Sequence, residues 1–275
     1  MKVFDDLKCA LGEGPLWHPE RKELFWFDIT GKTLHNKGET RQSWSFDEHV
    51  SAAGWVDRDT LLMASATGLW QFDIPSGART LVAPLETDNP LTRSNDGRAD
   101  AQGGFWIGTM GIDAEDYAGA IYRYYRGEVR RLFDRITIPN AICFAPDGRT
   151  AYFADTFSQQ IQKVALDEQG WPATAPEQFV DLRGEDLNPD GAVVDADGNL
   201  WNAQWGAGRV ACYDPQGTFL RSIAVPANRT TCPAFGQGTT LYVTSASDLV
   251  KEEQGGMTFT TNAGVTGQRE HQVIL

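Results

Sequence analysis

DGAVVDADGNLWNAQW, residues 190–205, contains two short apolar runs separated by an Asp-Gly turn. An Asp-Gly pair between alternating apolar stretches is a strong indication of a β-hairpin. The first run opens with a polar residue and a small one, Asp190 and Gly191. The stretch therefore predicts a hairpin whose first strand begins at a polar side chain.

The same arrangement recurs along the chain. Three further copies open at Glu13, Asp96 and Asn140, and two weaker copies open at Ala53 and Thr231. The six starts lie roughly 40 to 50 residues apart, and a third apolar run, sometimes a fourth, follows most hairpins. Four strands in a unit of this length are typical of a β-propeller blade.

The repeat thus predicts an all-β fold, a six-bladed β-propeller that forms a single domain over residues 1–275. The N-terminal VFDDLK and the C-terminal GGMTFTTN and HQVIL are expected to share the last blade and close the ring. The alternative is a β-sandwich with coincidental spacing, which would require six similar units to arise by chance.

Composition limits the classes of function. The 275 residues carry 24 Lys and Arg against 37 Asp and Glu, and a net charge of −13 argues against a nucleic-acid partner. No apolar run reaches the about 18 residues of a membrane span, and the N-terminus lacks a secretion signal. Four scattered cysteines predict reduced thiols in a cytoplasmic protein. A closed propeller exposes few strand edges, which favours a monomer.

Polar residues open the innermost strand in four of the six units: Glu13, Asp96, Asn140 and Asp190. Innermost strands line the central channel of a propeller, so these side chains should converge near one mouth. Converging carboxylates repel each other unless a cation lies between them, and an all-oxygen set suits Ca²⁺, Mg²⁺ or Mn²⁺. The sequence therefore predicts a metal site in the channel. The alternative is that each residue only caps a strand end by bonding to backbone.

Four segments carry a resemblance to a known family: LGEGPLW (11–17), TRSNDGRAD (92–100) with GTM (108–110), IPNAICFAPDG (138–148) and NPDGAVVDADGNLW (188–201). In this order they resemble the SMP-30/gluconolactonase/regucalcin family, and most of all bacterial sugar lactonases that act on aldonolactones. The resemblance implies a six-bladed propeller and a metal-dependent hydrolase of sugar catabolism. Its partner would be a small-molecule sugar lactone.

The resemblance also implies roles for individual residues. Three would bind one divalent ion, with Ca, Mg, Mn, Zn and Fe left undistinguished: Glu13, Asn140 and Asp190. Arg93 would contact substrate oxygens, and Asn95 would lie close to both metal and substrate. An acidic residue shortly after GTM would contact sugar hydroxyls; it falls on Asp113, with Glu115 and Asp116 as rivals.

Lactone hydrolysis transfers an acyl group to water, which requires an electrophile at the carbonyl oxygen and a base for the water. The hypothesis is that the ion takes the carbonyl oxygen while Asp190 acts as the catalytic base. The alternative is a metal-bound hydroxide, with Asp190 only a ligand. A serine nucleophile is disfavoured because the chain has no GxSxG elbow.

Two other functions stay open: a calcium-binding or regulatory propeller with little catalysis, and a metal-dependent esterase or organophosphatase of related fold.

The tryptophans that recur within the strands are expected to pack in the core. Trp205 is the exception, because the turn at Gln204–Gly206 could bring it to the channel mouth.

Overall fold

The computed structural model describes residues 1–247 and 252–275, and these residues form six four-stranded antiparallel sheets. The chain begins with β1, Lys2–Asp5, which belongs to the last blade. Blade 1 contains β2 Gly12–His18, β3 Glu23–Asp28, β4 Thr33–Lys37 and β5 Arg41–Ser45. Blade 2 contains β6 Val50–Asp57, β7 Thr60–Ser65, β8 Gly68–Asp73 and β9 Arg79–Pro84. Blade 3 contains β10 Thr92–Ala99, β11 Phe105–Gly111, β12 Gly119–Tyr125 and β13 Glu128–Ile136.

The remaining blades follow the same order from the channel outward. Blade 4 contains β14 Pro139–Phe144, β15 Thr150–Asp155, β16 Gln160–Ala165 and β17 Glu177–Asp181. Blade 5 contains β18 Asn188–Val194, β19 Leu200–Trp205, β20 Arg209–Tyr213 and β21 Phe219–Ala224. Blade 6 contains β22 Thr230–Phe235, β23 Thr240–Ser245 and β24 Thr258–Asn262, with β1 outermost. Short 3₁₀ helices occur at Thr156–Ser158 and Arg183–Glu185.

Ring closure uses both ends of the chain. β1 pairs antiparallel with β24, with Lys2 opposite Thr260 and Val3 opposite Phe259. The prediction that the terminal segments share the last blade is confirmed for VFD and for the TFTTN strand. It is wrong for HQVIL, because residues 265–275 form no strand of this blade. These residues, the C-terminal segment, run across other blades, where the backbone N–H of Val273 donates to Trp55 O at 2.8 Å and that of Ile274 to Gly103 O at 2.9 Å.

Apolar side chains between neighbouring blades hold the ring together. Successive side chains of a strand face opposite sides of its sheet, so each blade packs against both neighbours. In the described part of the chain, six clusters of buried apolar residues occupy the six blade interfaces. Trp26, Trp106 and Trp201 are fully buried in them, as the sequence predicts. All four cysteines are buried and free.

Candidate active site in the channel

Bulges in the innermost strands position the polar residues that the repeat selects. Glu13 and Asn140 are the last regularly paired residues before a bulge in β2 and β14. Asp190 lies within the bulge of β18, and Asn95 lies within that of β10. A bulge adds an unpaired residue and turns the strand, which re-aims a side chain. A bulge at this point therefore orients a polar side chain in four blades. In β6 the bulge lies at Ser51, two residues before the Ala53 that the repeat alignment selects.

The residue after each of the first two ligand candidates has a left-handed backbone. Gly14 follows Glu13 with φ 54°, and Ala141 follows Asn140 with φ 55°. A Cβ on Gly14 would collide with the carbonyl oxygen of Ser51, so glycine is required there. Ala141 carries a Cβ in a conformation that costs a non-glycine residue about 1–2 kcal/mol. Such strain is typical of functional sites, where the surrounding structure holds the residue in an unfavourable conformation.

Glu13 and Asp190 meet at the centre of this arrangement. Both are buried, and each is among the groups that shift the pKa of the other. Burial and then the nearby Asp96 raise the pKa of Glu13, and burial and then Glu13 raise the pKa of Asp190. Buried acids grouped in this way form a site for a cation.

Asn140 belongs to a directed chain of hydrogen bonds that starts at Arg93. Arg93 Nη1 donates to Asn95 Oδ1 at 2.8 Å, and Asn95 Nδ2 donates to Asn140 Oδ1 at 3.0 Å. Asn140 Nδ2 then donates to Thr156 Oγ1 at 2.8 Å. Burial lowers the pKa of Arg93 to about 10, with Glu13 opposing the shift, so the guanidinium stays charged at neutral pH.

Asp96, the fourth polar position of the repeat, lies beneath the others. Its Oδ2 accepts the backbone N–H of Ile142 at 2.7 Å, and it is absent from the residues that line the cavity. Burial raises its pKa to about 6, with the nearby Arg98 acting in the opposite direction. Asp96 thus has the backbone-capping role that was the alternative for this residue type.

A cavity of about 420 Å³ opens over these groups. Its floor is formed by Glu13, Asn95, Asn140 and Asp190. The residues two positions earlier in the chain form the wall: Leu11, Arg93, Ile138 and Asn188. The ends of the neighbouring strands and their turns add Met110, Thr156, Phe157 and Trp205.

Five of the six residues that the sequence predicted as metal-binding, catalytic or substrate-binding therefore share one cavity. Trp205 lines it too, with the Arg229 guanidinium 5.0 Å from its ring centroid. Sequence reasoning missed Leu11, Ile138 and Asn188, although the two-residue period of a strand places each on the same face as its floor residue. It also missed Thr156, which closes the repeat copy that begins at Asn140.

The sixth residue, Asp113, lies elsewhere. It is exposed on the turn between β11 and β12, and its backbone N–H donates to Glu115 Oε2 at 3.2 Å. Asp113, Glu115 and Asp116 are all absent from the cavity lining. Left-handed residues at Ala114 and Tyr117 fold the turn back on itself, which directs these carboxylates to solvent.

The donor chemistry of the floor fits a hard divalent cation. Two carboxylates and one amide oxygen form an all-oxygen set, the preference of Ca²⁺, Mg²⁺ and Mn²⁺. Within the described residues, no three His, Cys, Asp or Glu side chains come together as a metal-binding group. The floor supplies two carboxylates, so an ion here would need the amide and further oxygens from water or substrate.

Comparison with known proteins agrees with this arrangement. The family described as "SMP-30/Gluconolactonase/LRE-like region" matches residues 11–247. The chain belongs to this family. Among family relatives, the L-arabinolactonase of Azospirillum brasilense is 37% identical over 89% of this chain and 83% of the relative. The pentonolactonase XacC of Haloferax volcanii is 33% identical over 96% of this chain and 95% of the relative.

A solved structure of the family matches the propeller throughout. The calcium-binding protein regucalcin from Agrobacterium tumefaciens is 40% identical, with a TM-score of 0.97. The match covers 100% of this chain and 97% of that chain. The six-bladed propeller predicted from the repeat is thereby confirmed. No helix in residues 1–247 or 252–275 has the length and apolar character needed to cross a membrane.

Proposed function

We propose that this protein hydrolyses a sugar lactone to the corresponding aldonic acid with the help of one divalent cation. The observation that supports this most directly is that two buried acids with raised pKa values, Glu13 and Asp190, line the floor of one open cavity. Buried acids without a compensating ion pair are costly, and proteins keep them where a ligand supplies the missing charge. The lactonase names of two family relatives support the choice of reaction.

Glu13, Asn140 and Asp190 would hold the cation. When bound, a divalent cation supplies Lewis acidity, which polarises an ester carbonyl. Glu13 Oε2 accepts the Gly14 N–H at 2.9 Å, and Asp190 Oδ1 accepts the Gly191 N–H at 3.0 Å, so both carboxylates are oriented by their own backbone. Asp190 would also take the proton of the attacking water as general base.

Arg93 and Asn95 would orient the substrate. Arg93 lies in the cavity wall with Nη1 held by Ser94 O at 3.0 Å and by Asn95 Oδ1. A charged planar donor fixed in this way suits the hydroxyl and carbonyl oxygens of an aldonolactone. Trp205 offers an aromatic surface for the C–H face of the sugar ring. Asp113 remains a proposed contact on the resemblance alone, and the KM of an Asp113→Asn variant would test it.

Acid release from a panel of aldonolactones tests the proposal. Chelator-stripped protein would receive Ca²⁺, Mg²⁺, Mn²⁺ or Zn²⁺ singly, with spontaneous opening subtracted at each pH. Metal-dependent turnover of arabinono-, xylono-, glucono- or galactonolactone is the expected result, and the rates would rank the substrates. Turnover that is equally fast in chelator would remove the cation from the proposal.

A second candidate function is cation binding without turnover. Its support is the calcium-binding description of the Agrobacterium regucalcin. A rise in thermal stability with Ca²⁺, together with no lactone turnover above background, would favour it and reject the enzyme. For either function we propose a cytoplasmic location, which four buried free cysteines support.

A further inference from the structure

Side chains from neighbouring blades hold the backbone immediately before each proposed ligand. The carbonyl of Gly12, before Glu13, accepts the hydroxyl of Thr231 in blade 6 at 2.5 Å. The carbonyl of Pro139, before Asn140, accepts Asn95 Nδ2 in blade 3 at 3.0 Å. The carbonyl of Pro189, before Asp190, accepts the hydroxyl of Thr156 in blade 4 at 2.6 Å. Each of these three hydrogen bonds, here called a clamp, joins the preceding blade to the backbone of a ligand. Together they fix the three ligands relative to one another.

Thr156 differs from the other hydroxyl clamp because it also bonds a ligand side chain. Its hydroxyl has one hydrogen, and the carbonyl of Pro189 can only accept, so that hydrogen is committed. Thr156 Oγ1 must then accept from Asn140, which turns the amide nitrogen of Asn140 toward Thr156. The amide oxygen of Asn140 is thereby left on the opposite side.

The Arg93 end of this chain of hydrogen bonds imposes the same orientation on the Asn140 amide. Arg93 is a donor only, so it binds the oxygen of Asn95 and leaves the Asn95 nitrogen for Asn140 Oδ1. Asn140 is therefore held between a fixed donor and a fixed acceptor. Its oxygen keeps one lone pair for a cation.

Blade 1 shows that the blade itself does not require this hydroxyl. The position equivalent to Thr156 there is Ile29, because the Ile29 N–H donates to Leu11 O at 2.9 Å as the Thr156 N–H donates to Ile138 O at 3.0 Å. In both blades the preceding aspartate, Asp28 or Asp155, accepts two N–H groups that lead into the innermost strand. Ile29 is buried with no polar group in its side chain.

We propose that Thr156 is a positioning residue that sets the amide of Asn140 and ties it to the backbone of Asp190 for cation binding. This rests on the proposed function, because it assumes that Asn140 and Asp190 are ligands. Groups that orient the ligands of a metal site commonly change metal affinity by about 10- to 100-fold when they are removed.

Titration calorimetry of chelator-stripped protein with Ca²⁺ and with Mn²⁺ tests the proposal. We expect Thr156→Val, which keeps the shape and removes the hydroxyl, to weaken binding by about 10- to 100-fold. Thr156→Ser, which restores the hydroxyl, should bind within about threefold of the unaltered protein. Ser65→Ala is the matched control: it removes a buried hydroxyl from blade 2, which supplies no ligand.

The outcomes separate this inference from the proposed function. Equal affinity in Thr156→Val and the unaltered protein would overturn the positioning role while leaving the cation site intact. Equal weakening in Thr156→Val and Thr156→Ser, or in Ser65→Ala, would also overturn it, since the loss would follow from general destabilisation. Failure of the unaltered protein to bind either ion would overturn both proposals. Circular dichroism would show that each variant is folded.

Discussion

The two ends of the central channel differ in whether their buried ionisable side chains form ion pairs. At the open end, the buried acids Glu13 and Asp190 affect each other's pKa and lie near a third acid, Asp96. Arg93 is a cation that acts on Glu13, but its hydrogen bonds go to Ser94 and Asn95. This end retains buried acids for which no salt bridge is formed within the described residues.

At the other end, the closed end, a carboxylate of the C-terminal segment pairs with a buried arginine of the channel. Arg98 Nη1 lies 2.6 Å from Glu270 Oε1, with side-chain exposures of 10% and 8%. Gln268 Nε2 of the same segment donates to Phe144 O at 2.9 Å and to Val194 O at 3.1 Å, where β14 and β18 end. The segment thus covers this end and leaves the opposite mouth for a ligand. The ion pair here is structural, and the acids without an ion pair at the mouth mark the site.

The largest effect is expected from removing a carboxylate at the open end. Asp190→Asn should lower lactone turnover by about 10²- to 10⁴-fold, because it removes a ligand and the proposed base. The melting temperature of the metal-free variant should rise, since a buried acid next to another acid destabilises the fold. Asp197→Asn, the same chemical change on an exposed turn of blade 5, is the control. Turnover within tenfold of the unaltered protein would remove Asp190 from the mechanism.

The next effect lies at the closed end and has the opposite character. Glu270→Gln should lower the free energy of unfolding by about 3 kcal/mol, because it leaves Arg98 buried without its partner. Urea denaturation measures this loss, while cation affinity at the mouth should stay unchanged. The double variant Arg98→Met with Glu270→Met should recover most of the stability, because it removes both charges. A loss of cation affinity in Glu270→Gln would show that the two ends are not independent.

A smaller effect is expected from the strained backbone beside Asn140. Ala141→Gly should raise the free energy of unfolding by about 1 kcal/mol, because glycine tolerates a left-handed conformation. Ala192→Gly, in the innermost strand of blade 5, should instead lower it by about 0.5–1 kcal/mol. Chemical denaturation compares the two. Equal destabilisation by both substitutions would mean that position 141 stores no strain.

The smallest effect is a pH dependence at the closed end. Burial lowers the pKa of His271, while Glu270 and Asp100 act in the opposite direction and Arg98 reinforces burial. A histidine whose pKa falls on folding contributes stability at neutral pH, which is lost as the pH drops below its unfolded value of about 6.5. His271→Gln should therefore lose less stability than the unaltered protein between pH 7 and pH 5. Parallel losses in thermal melts would contradict this.

Much of the fold and the floor of the site could be predicted from the sequence. Hairpins are local, so turn residues and two-residue alternation can be recognised within a single copy. The repeat then places Glu13, Asn140 and Asp190 at equivalent points. Three wall residues could also have been predicted, because each lies two positions before a floor residue: Leu11, Ile138 and Asn188. Leu11 and Ile138 were missed because apolar residues beside a strand usually indicate core, and Asn188 was missed because the repeat alignment begins at Asp190.

The sequence by itself determined the six hairpin units and the polar residue that opens four of them, because these depend on interactions within about 20 residues of chain. Tertiary structure alone decided the rest. Contacts between blades and with the C-terminal segment decided the bond from Thr156 to Pro189 and the pairing of Arg98 with Glu270. The course of a turn decided the solvent exposure of Asp113. Such contacts join residues far apart in the chain or depend on the course of a turn. Closure of the ring, rather than local pattern, therefore determines which polar groups are paired and which are left for a ligand.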